Sequence, residues 1–221
     1  MNYLELVNEA RSLCGLSNAD LTTIVGAVDE DARFSRWVAD EWRKIQMLHP
    51  DWEWMKKAMT FNTVAGTSSY SISTIGLSDF ASWKQDSFRS YLTSAGQGTE
   101  RFLDFYEDYE QFRDLWLYGT RETTQSMPVA ITIKPDKSLL LALVPNGIYT
   151  IRGEYFSTVT AFADDTDEPE MPERFHMGIV YKTMVRYAMF ESAPEVLAEG
   201  TRLWAEEKAG LELDQLPGVA Y

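Results

Sequence analysis

The chain has 221 residues, a hydrophobic fraction of 45% and a formal net charge of −14 at pH 7. This composition predicts a folded globular protein and argues against intrinsic disorder. Because the basic residues form no dense cluster, the sequence also argues against tight nucleic-acid binding through counterion release.

The negative charge is concentrated at the two ends of the chain. Residues 1–55 hold 10 acidic and 5 basic side chains, residues 56–160 hold 11 and 10, and residues 161–221 hold 13 and 5. An acidic surface repels DNA. The pattern therefore allows DNA to pass close to the protein without being bound.

The N-terminal part of the sequence predicts two helices. Residues 2–14 carry apolar side chains at three- and four-residue spacing, and Gly15 follows as a stop signal. A second helix is expected to begin with Asp29 as its N-cap and to end near His49, because Pro50 disfavours helical geometry in the residue before it.

The middle of the chain, from about residue 57, is rich in β-forming residues. Tyr70–Ile72 and Ser87–Leu92 read as strands, whereas residues 101–118 suit a short helix. Three further strands are expected, joined by turns at Pro135–Lys137 and Pro145–Gly147. These strands are Ala130–Lys134, Ser138–Leu143 and Gly147–Tyr155. Tight turns predict that they form an antiparallel meander.

An acidic linker, Ala163–Glu170, leads into two more predicted helices. One covers about 173–191, and the other begins at Pro194 and ends near Leu211. The last residues, from Leu213, are mostly uncharged and are expected to be extended. The predicted fold class is therefore α+β: a helical domain formed by the N- and C-terminal helices, with an inserted antiparallel, sandwich-like β domain. The expected boundaries are 1–55 and 163–221 for the helical domain and 56–162 for the β domain.

Few residues are candidates for chemistry. His49, near Asp51 and Glu53, reads as a turn residue beside Trp52 and Trp54 rather than as a metal ligand. His176 is expected to form a surface pair with Glu173, and Cys14 to be a buried, inert thiol. The acidic linker resembles a crude calcium loop but lacks the glycine of an EF-hand. We therefore predict no metal and no cofactor.

Catalytic signatures do not emerge from the sequence. The nucleophile-elbow and phosphate-loop patterns are absent. Carboxylate pairs such as Asp104/Glu107, Asp108/Glu110 and Glu206/Glu207 are common in so acidic a chain, and none is marked as an acid–base pair. The lone cysteine excludes an intrachain disulfide. The N-terminal residues do not resemble a signal peptide, and no apolar run is long enough to span a bilayer. The expectation is a protein that assembles rather than catalyses.

Several stretches together resemble the head-to-tail adaptor (connector ring) proteins of tailed bacteriophages, including relatives of tail tubular protein A. These stretches are Leu48–Trp54, Trp83–Arg89, Ile131–Ser138, Gly153–Tyr155, Met171–His176 and Ile179–Tyr181. The resemblance implies a structural virion protein, assembled in the host cytoplasm. It would form a ring, often of twelve copies, between the portal protein and a tail or nozzle protein, and DNA would pass through without specific binding. It implies a helical part joined to a sandwich-like part, and no catalytic residue.

Two groups of residues are the candidate sites for this role. The uncharged C-terminal tail suits docking into the portal, through Leu213, Leu216, Pro217, Val219 and Tyr221. The second group is the aromatic pair Trp52 and Trp54, placed at the expected domain junction. Two alternatives stay open: an acidic glycoside or peptidoglycan hydrolase working with two carboxylates, and a different phage tail-completion or tube protein.

Overall fold

The computed structural model describes residues 1–16 and 19–216. The chain folds into two compact units, a helical unit of residues 1–55 and 159–221 and a β unit of residues 56–158. The α-helices are α1 (Tyr3–Leu13), α2 (Asp29–Gln46), α3 (Ile72–Ile75), α4 (Tyr109–Trp116), α5 (Met177–Glu191) and α6 (Pro194–Gln215). Helices at both ends and sheets between them confirm the predicted α+β fold.

The helical unit is built around α5, which packs against α1, α2 and α6. Its apolar side chains are fully or almost fully buried where the three- and four-residue spacing predicted a buried face. These residues are Leu6, Val7, Ala10, Phe34, Val38, Trp42, Ile45, Ile179, Val180, Met184 and Ala188. Small residues let α6 approach α5 closely: a Cβ added at Gly200 would lie 3.2 Å from Met184 Cβ.

The helix ends follow from local chemistry. Asn2 caps α1 with a complete capping box, in which the Asn2 side chain and the Glu5 side chain each accept a backbone N–H. The N-cap of α2 is Val28 rather than the predicted Asp29, which is the first helical residue. Pro194 occupies the first turn of α6, where its missing N–H costs no hydrogen bond.

The β unit contains β1 (Lys56–Asn62), β2 (Ser69–Tyr70), β3 (Phe80–Trp83), β4 (Arg89–Leu92), β5 (Arg101–Phe102), β6 (Asp104–Tyr106), β7 (Gln125–Ser126), β8 (Ala130–Ile133), β9 (Leu139–Ala142), β10 (Val144–Pro145) and β11 (Tyr149–Ser157). The larger sheet is antiparallel in the order β1-β11-β4-β5, with β3 also paired to β11. A second sheet has the order β2-β9-β8-β6.

The predicted meander is wrong at its second turn. The first turn does join an antiparallel pair, β8 and β9, but β11 belongs to the other sheet and pairs with β1, β3 and β4. Leu143 explains the break, because its positive φ of 64° bends the chain out of β9. The chain then forms β10, which runs parallel to β7, and β6 and β8 are also parallel.

Three local predictions also differ from the structure. Strand β2 ends at Tyr70, and Ser71 then caps the short helix α3 through its hydroxyl, a local use of serine that competes with strand geometry. Arg101–Phe102 and Asp104–Tyr106 form strands, so that only Tyr109–Trp116 of the expected helix is α-helical. Helix α6 continues to Gln215, so the first residues of the expected extended tail are helical.

Candidate assembly surfaces

The predicted tail begins on the last turn of α6. Leu213 is 87% exposed there, whereas Leu211, two residues earlier, is 1% exposed. The expected docking residues Pro217, Val219 and Tyr221 lie outside the described residues, and Leu216 is the C-cap of the helix. The described part of the tail therefore presents one unprotected leucine to solvent.

A hydrogen bond and an ion pair fix the end of α6 within the helical unit. Glu212 lies 2.8 Å from His49 Nε2, and Asp214 pairs with Arg174. The bond to His49 holds the pKa of Glu212 below its usual range, and the bond to Arg174 does the same for Asp214. The position of Leu213 is thus set by charged neighbours on both sides.

Trp52 and Trp54 form the aromatic cluster that the sequence suggested. Their rings stack with centroids 4.4 Å apart, and His49 meets the Trp52 ring edge-on at 4.9 Å. Trp52 is fully buried and donates its indole N–H to the Ile45 carbonyl at 3.1 Å. This cluster is a packing element that joins the end of α2 to the turn after it.

The backbone of the acidic segment, Ala163–Glu170, closes the N-terminus of α1. The N–H of Tyr3 donates to the Asp167 carbonyl at 2.8 Å, and that of Leu4 donates to the Asp165 carbonyl at 3.1 Å. These bonds satisfy two N–H groups that a helix leaves without an internal partner. The segment is therefore fixed to α1 through its main chain.

The side chains of the segment divide into two sets. Asp167 accepts backbone N–H groups of Ala163 and Asp164, which lowers its pKa, and Asp165 accepts the N–H of Ile24. The side chains that are left facing solvent are Asp164, Glu168 and Glu170. Within residues 1–16 and 19–216, no group of three or more His, Cys, Asp or Glu side chains is arranged to hold a metal ion.

A buried carboxylate with three cations around it lies in the helical unit, and the sequence did not predict it. Glu41 of α2 is 3% exposed, and its oxygens lie 2.5 Å from Lys44 Nζ, 3.4 Å from Arg186 and 3.5 Å from Lys182 Nζ. Burial lowers the pKa of Lys182, and the charge of Glu41 opposes that shift. Arg186 also pairs with Asp40 at 2.8 Å.

These cations line a groove, which we call the basic groove, with a cavity of about 240 Å³. Its lining residues are Glu41, Lys44, Lys182, Val185, Arg186, Met189 and Trp204. Four of these residues lie on α5 at three- and four-residue spacing, so they form one stripe along that helix: Lys182, Val185, Arg186 and Met189. Met189 is 68% exposed, and Lys182 Nζ lies 5.3 Å from the centre of the Trp204 ring. The groove combines positive charge with the apolar side chains of Val185, Met189 and Trp204.

The β unit has its own charged surface, on the larger sheet. Arg89 of β4 and Arg152 of β11 are direct cross-strand neighbours, and Glu100 bridges them at 3.5 and 3.2 Å. Phe102 is 62% exposed and lies under the Arg89 guanidinium at 4.0 Å. A shallow cavity of about 360 Å³ adjoins this cluster. Like charges directly opposite in a sheet repel, so Glu100 is needed to hold the two arginines together.

The two remaining sequence candidates have clear structural roles. Cys14 is buried as predicted, and burial raises the pKa of its thiol to about 12. The surface prediction for His176 is wrong: the ring is 3% exposed, its Nε2 lies 3.0 Å from the Met171 carbonyl, and its Nδ1 lies 3.0 Å from the Met1 amino group. Because only Nε2–H can donate to a carbonyl, Nδ1 accepts from the amine.

Two of the carboxylate pairs named from the sequence contain a side chain that stabilises a helix. Asp108 caps α4 by accepting the Glu110 N–H at 2.8 Å, and Glu206 pairs with Arg202 at 2.8 Å. Burial raises the pKa of Glu207. Glu207 is not among the residues that line the basic groove or the β-unit cavity.

A family model described as SU10 adaptor protein matches residues 1–217. The chain belongs to the SU10 adaptor protein family. Members of this family are structural adaptors of bacteriophages, which makes the protein a virion component that interacts with portal and tail proteins. A comparison with curated proteins finds no match. None of the helices in the described ranges is long and apolar enough to cross a membrane.

Proposed function

We propose that this SU10-family adaptor forms a ring between the portal and the tail, with DNA passing through its centre. The family match over residues 1–217 carries the proposal. The surface agrees with it, because large apolar side chains such as Phe102 and Met189 are exposed on both units, and apolar side chains form the core of subunit interfaces. We take a closed ring because repeated head-to-tail contacts close when the rotation between subunits allows it, and twelve copies because the resemblance to head-to-tail adaptors implies that number.

The test is to mix the purified chain with its cognate portal and image the complex by electron microscopy. The expected result is a ring on the tail-side face of the portal. A chain that stays monomeric and never joins the portal contradicts the proposal. Density on a tail tube instead of the portal supports a tail-completion protein. A gel-shift assay with duplex DNA at about 150 mM salt should show no retention by the ring, because the net charge of −14 repels phosphate.

We further propose that the tail docks into the portal through Leu213, Leu216, Pro217, Val219 and Tyr221. The exposure of Leu213 at the end of a fixed helix supports this. A deletion that begins at residue 212 would also remove Glu212 and Asp214, which contact the helical unit. The sharper variants are deletion of 217–221 and Leu213→Ser, each of which should weaken portal binding. Unchanged binding in both contradicts tail docking.

Two structural proposals accompany this function. We propose that the helical part, residues 1–55 and 163–221, and the β part, residues 56–162, are separate folding domains. Expression of residues 56–162 alone should give a cooperatively unfolding β protein, whereas an unfolded fragment contradicts the proposal. We also propose a relation to tail tubular protein A, which an experimental structure of the assembled ring would test by superposition.

A further inference from the structure

The basic groove is an uncovered surface of unusual charge in a strongly acidic protein. Glu41 lies beneath the cations at 3% exposure, whereas Lys44 is 55% exposed, Arg186 33% and Lys182 17%. Asp40, at 47% exposure, offsets Arg186 at the rim. Glu41 and Asp40 together offset two of the three positive charges, so the groove presents a net charge of about +1, with Lys44 as its most exposed cation.

The same helical unit displays a surface of opposite charge. The acidic segment exposes Asp164, Glu168 and Glu170, while Asp165 and Asp167 are engaged by backbone N–H groups. The exposed carboxylates are thus held on a backbone that is already fixed to α1. A fixed segment loses little conformational entropy on binding, which favours association.

The groove and the chain that leads into the acidic segment lie on opposite sides of α2. The chain leading into the segment contacts Gln46, whose side-chain amide donates to the Thr160 carbonyl at 2.9 Å. Lys44, on the groove side, precedes Gln46 by two residues, which turns the side-chain direction by about 200°. Because the segment is fixed to α1 and none of its residues lines the groove, the groove of one copy is open to the segment of a second copy, which is a head-to-tail contact.

We propose that the basic groove of one copy receives the acidic segment of the next copy, with Lys44 and Lys182 contacting Asp164, Glu168 and Glu170. This inference rests on the ring proposed above and names one of its subunit contacts. Complementary charge fixes the register of such a contact and suppresses wrong pairings. Met189 and Trp204 add apolar contact area beside the lysines.

The first test is zero-length carbodiimide cross-linking of rings assembled on the portal from a mixture of isotopically light and heavy chains. We expect mixed-isotope links from Lys44 or Lys182 to the acids of residues 164–170. If those lysines link to acids of the portal, or to no acid of a second copy, the proposed occupant is wrong.

The second test uses charge reversal on exposed side chains. Glu168→Lys with Glu170→Lys should raise the concentration needed for assembly by about tenfold or more. Glu107→Lys with Glu122→Lys makes the same change in net charge at exposed positions of the β unit and should not weaken assembly. Circular dichroism confirms that each variant is folded.

A mixing experiment makes the test specific to the contact. Lys44→Glu should also impair assembly by itself, and Lys44→Gln is the milder variant if the reversal unfolds the chain. In a ring that alternates the Lys44→Glu copy with the Glu168→Lys, Glu170→Lys copy, one contact is wild-type and the next pairs the two reversed charges. Every contact is then complementary, so assembly should recover. Rings that form equally well from all variants overturn the groove contact and leave the adaptor ring intact. A wild-type chain that forms no ring overturns both.

Discussion

Replacing Glu41 by Gln tests the charge balance beneath the basic groove. The change keeps the shape of the side chain but leaves Lys182 and Arg186 without their buried counter-charge. Removing one partner of a fully buried pair costs about 3–5 kcal/mol. Because the cations are 17–55% exposed, solvent screening reduces the expected loss to about 2 kcal/mol.

Asp40→Asn is the matched control for this change. Asp40 is the neighbour of Glu41 and pairs with the same arginine, but it is 47% exposed, so its loss should cost at most about 0.5 kcal/mol. Thermal unfolding followed at 222 nm should show a lower midpoint for Glu41→Gln, by about 4–8 °C, and little change for Asp40→Asn. Raising the pH towards the pKa of Lys182 should reduce the difference in unfolding midpoint between Glu41→Gln and wild type, because a neutral lysine needs no counter-charge. Equal effects of the two substitutions would refute the reasoning.

Two further predictions concern the cores of the units. Gly153→Ala on β11 places a Cβ 2.8 Å from the Phe88 ring and 2.9 Å from Met59 Cε. Overpacking of about 1–2 kcal/mol then outweighs the gain in strand propensity, and urea unfolding should show the lower free energy of unfolding. Gly98→Ala, with no atom within 4 Å of the added Cβ, should leave the free energy of unfolding unchanged. His176 has its pKa lowered by burial, so its contribution to stability is present above the unfolded pKa of about 6.5 and is lost as the pH falls through the folded value. His176→Gln should flatten the fall in unfolding midpoint between about pH 6.5 and 5, and an unchanged slope contradicts this assignment.

The helical part of the fold was readable from the sequence because helix signals are local. The apolar positions of α2 and α5 recur within a few residues of one another, and Pro194 marks the start of α6 directly. The β part was harder, because strand pairing is not local. Met59 pairs with Gly153 far along the chain, and no turn motif near either residue specifies that partner. Pro145–Gly147 looks like a hairpin turn but connects two different sheets.

Of the two candidate surfaces of the helical unit, one has a local sequence signal and the other depends on residues far apart in the chain. The tail was proposed as a docking segment from its composition alone, because a mostly uncharged end stands out in an acidic chain. The basic groove was missed, because Glu41 and Arg186 are 145 residues apart and each looks like an ordinary surface charge in its own helix. A local signal did exist: Lys182 and Arg186, the two basic side chains of α5, lie four residues apart and therefore share one stripe of the helix.

The salt dependence of assembly separates general repulsion from the groove contact. Each copy carries a net charge of −14, so the copies repel one another. The repulsion is strong in 0.01 M salt, where the Debye length is about 30 Å, and much weaker in 0.15 M salt, where it is about 8 Å. Wild-type assembly, measured by mass photometry, should therefore strengthen over that range, since ion pairs in the partly desolvated groove are screened less. Glu168→Lys with Glu170→Lys reduces the net charge from −14 to −10, because each substitution adds two positive charges. Repulsion alone predicts that this variant assembles more readily than wild type, as the Glu107→Lys, Glu122→Lys control should. The groove contact predicts the opposite, so weaker assembly despite weaker repulsion identifies the acidic segment as part of the interface.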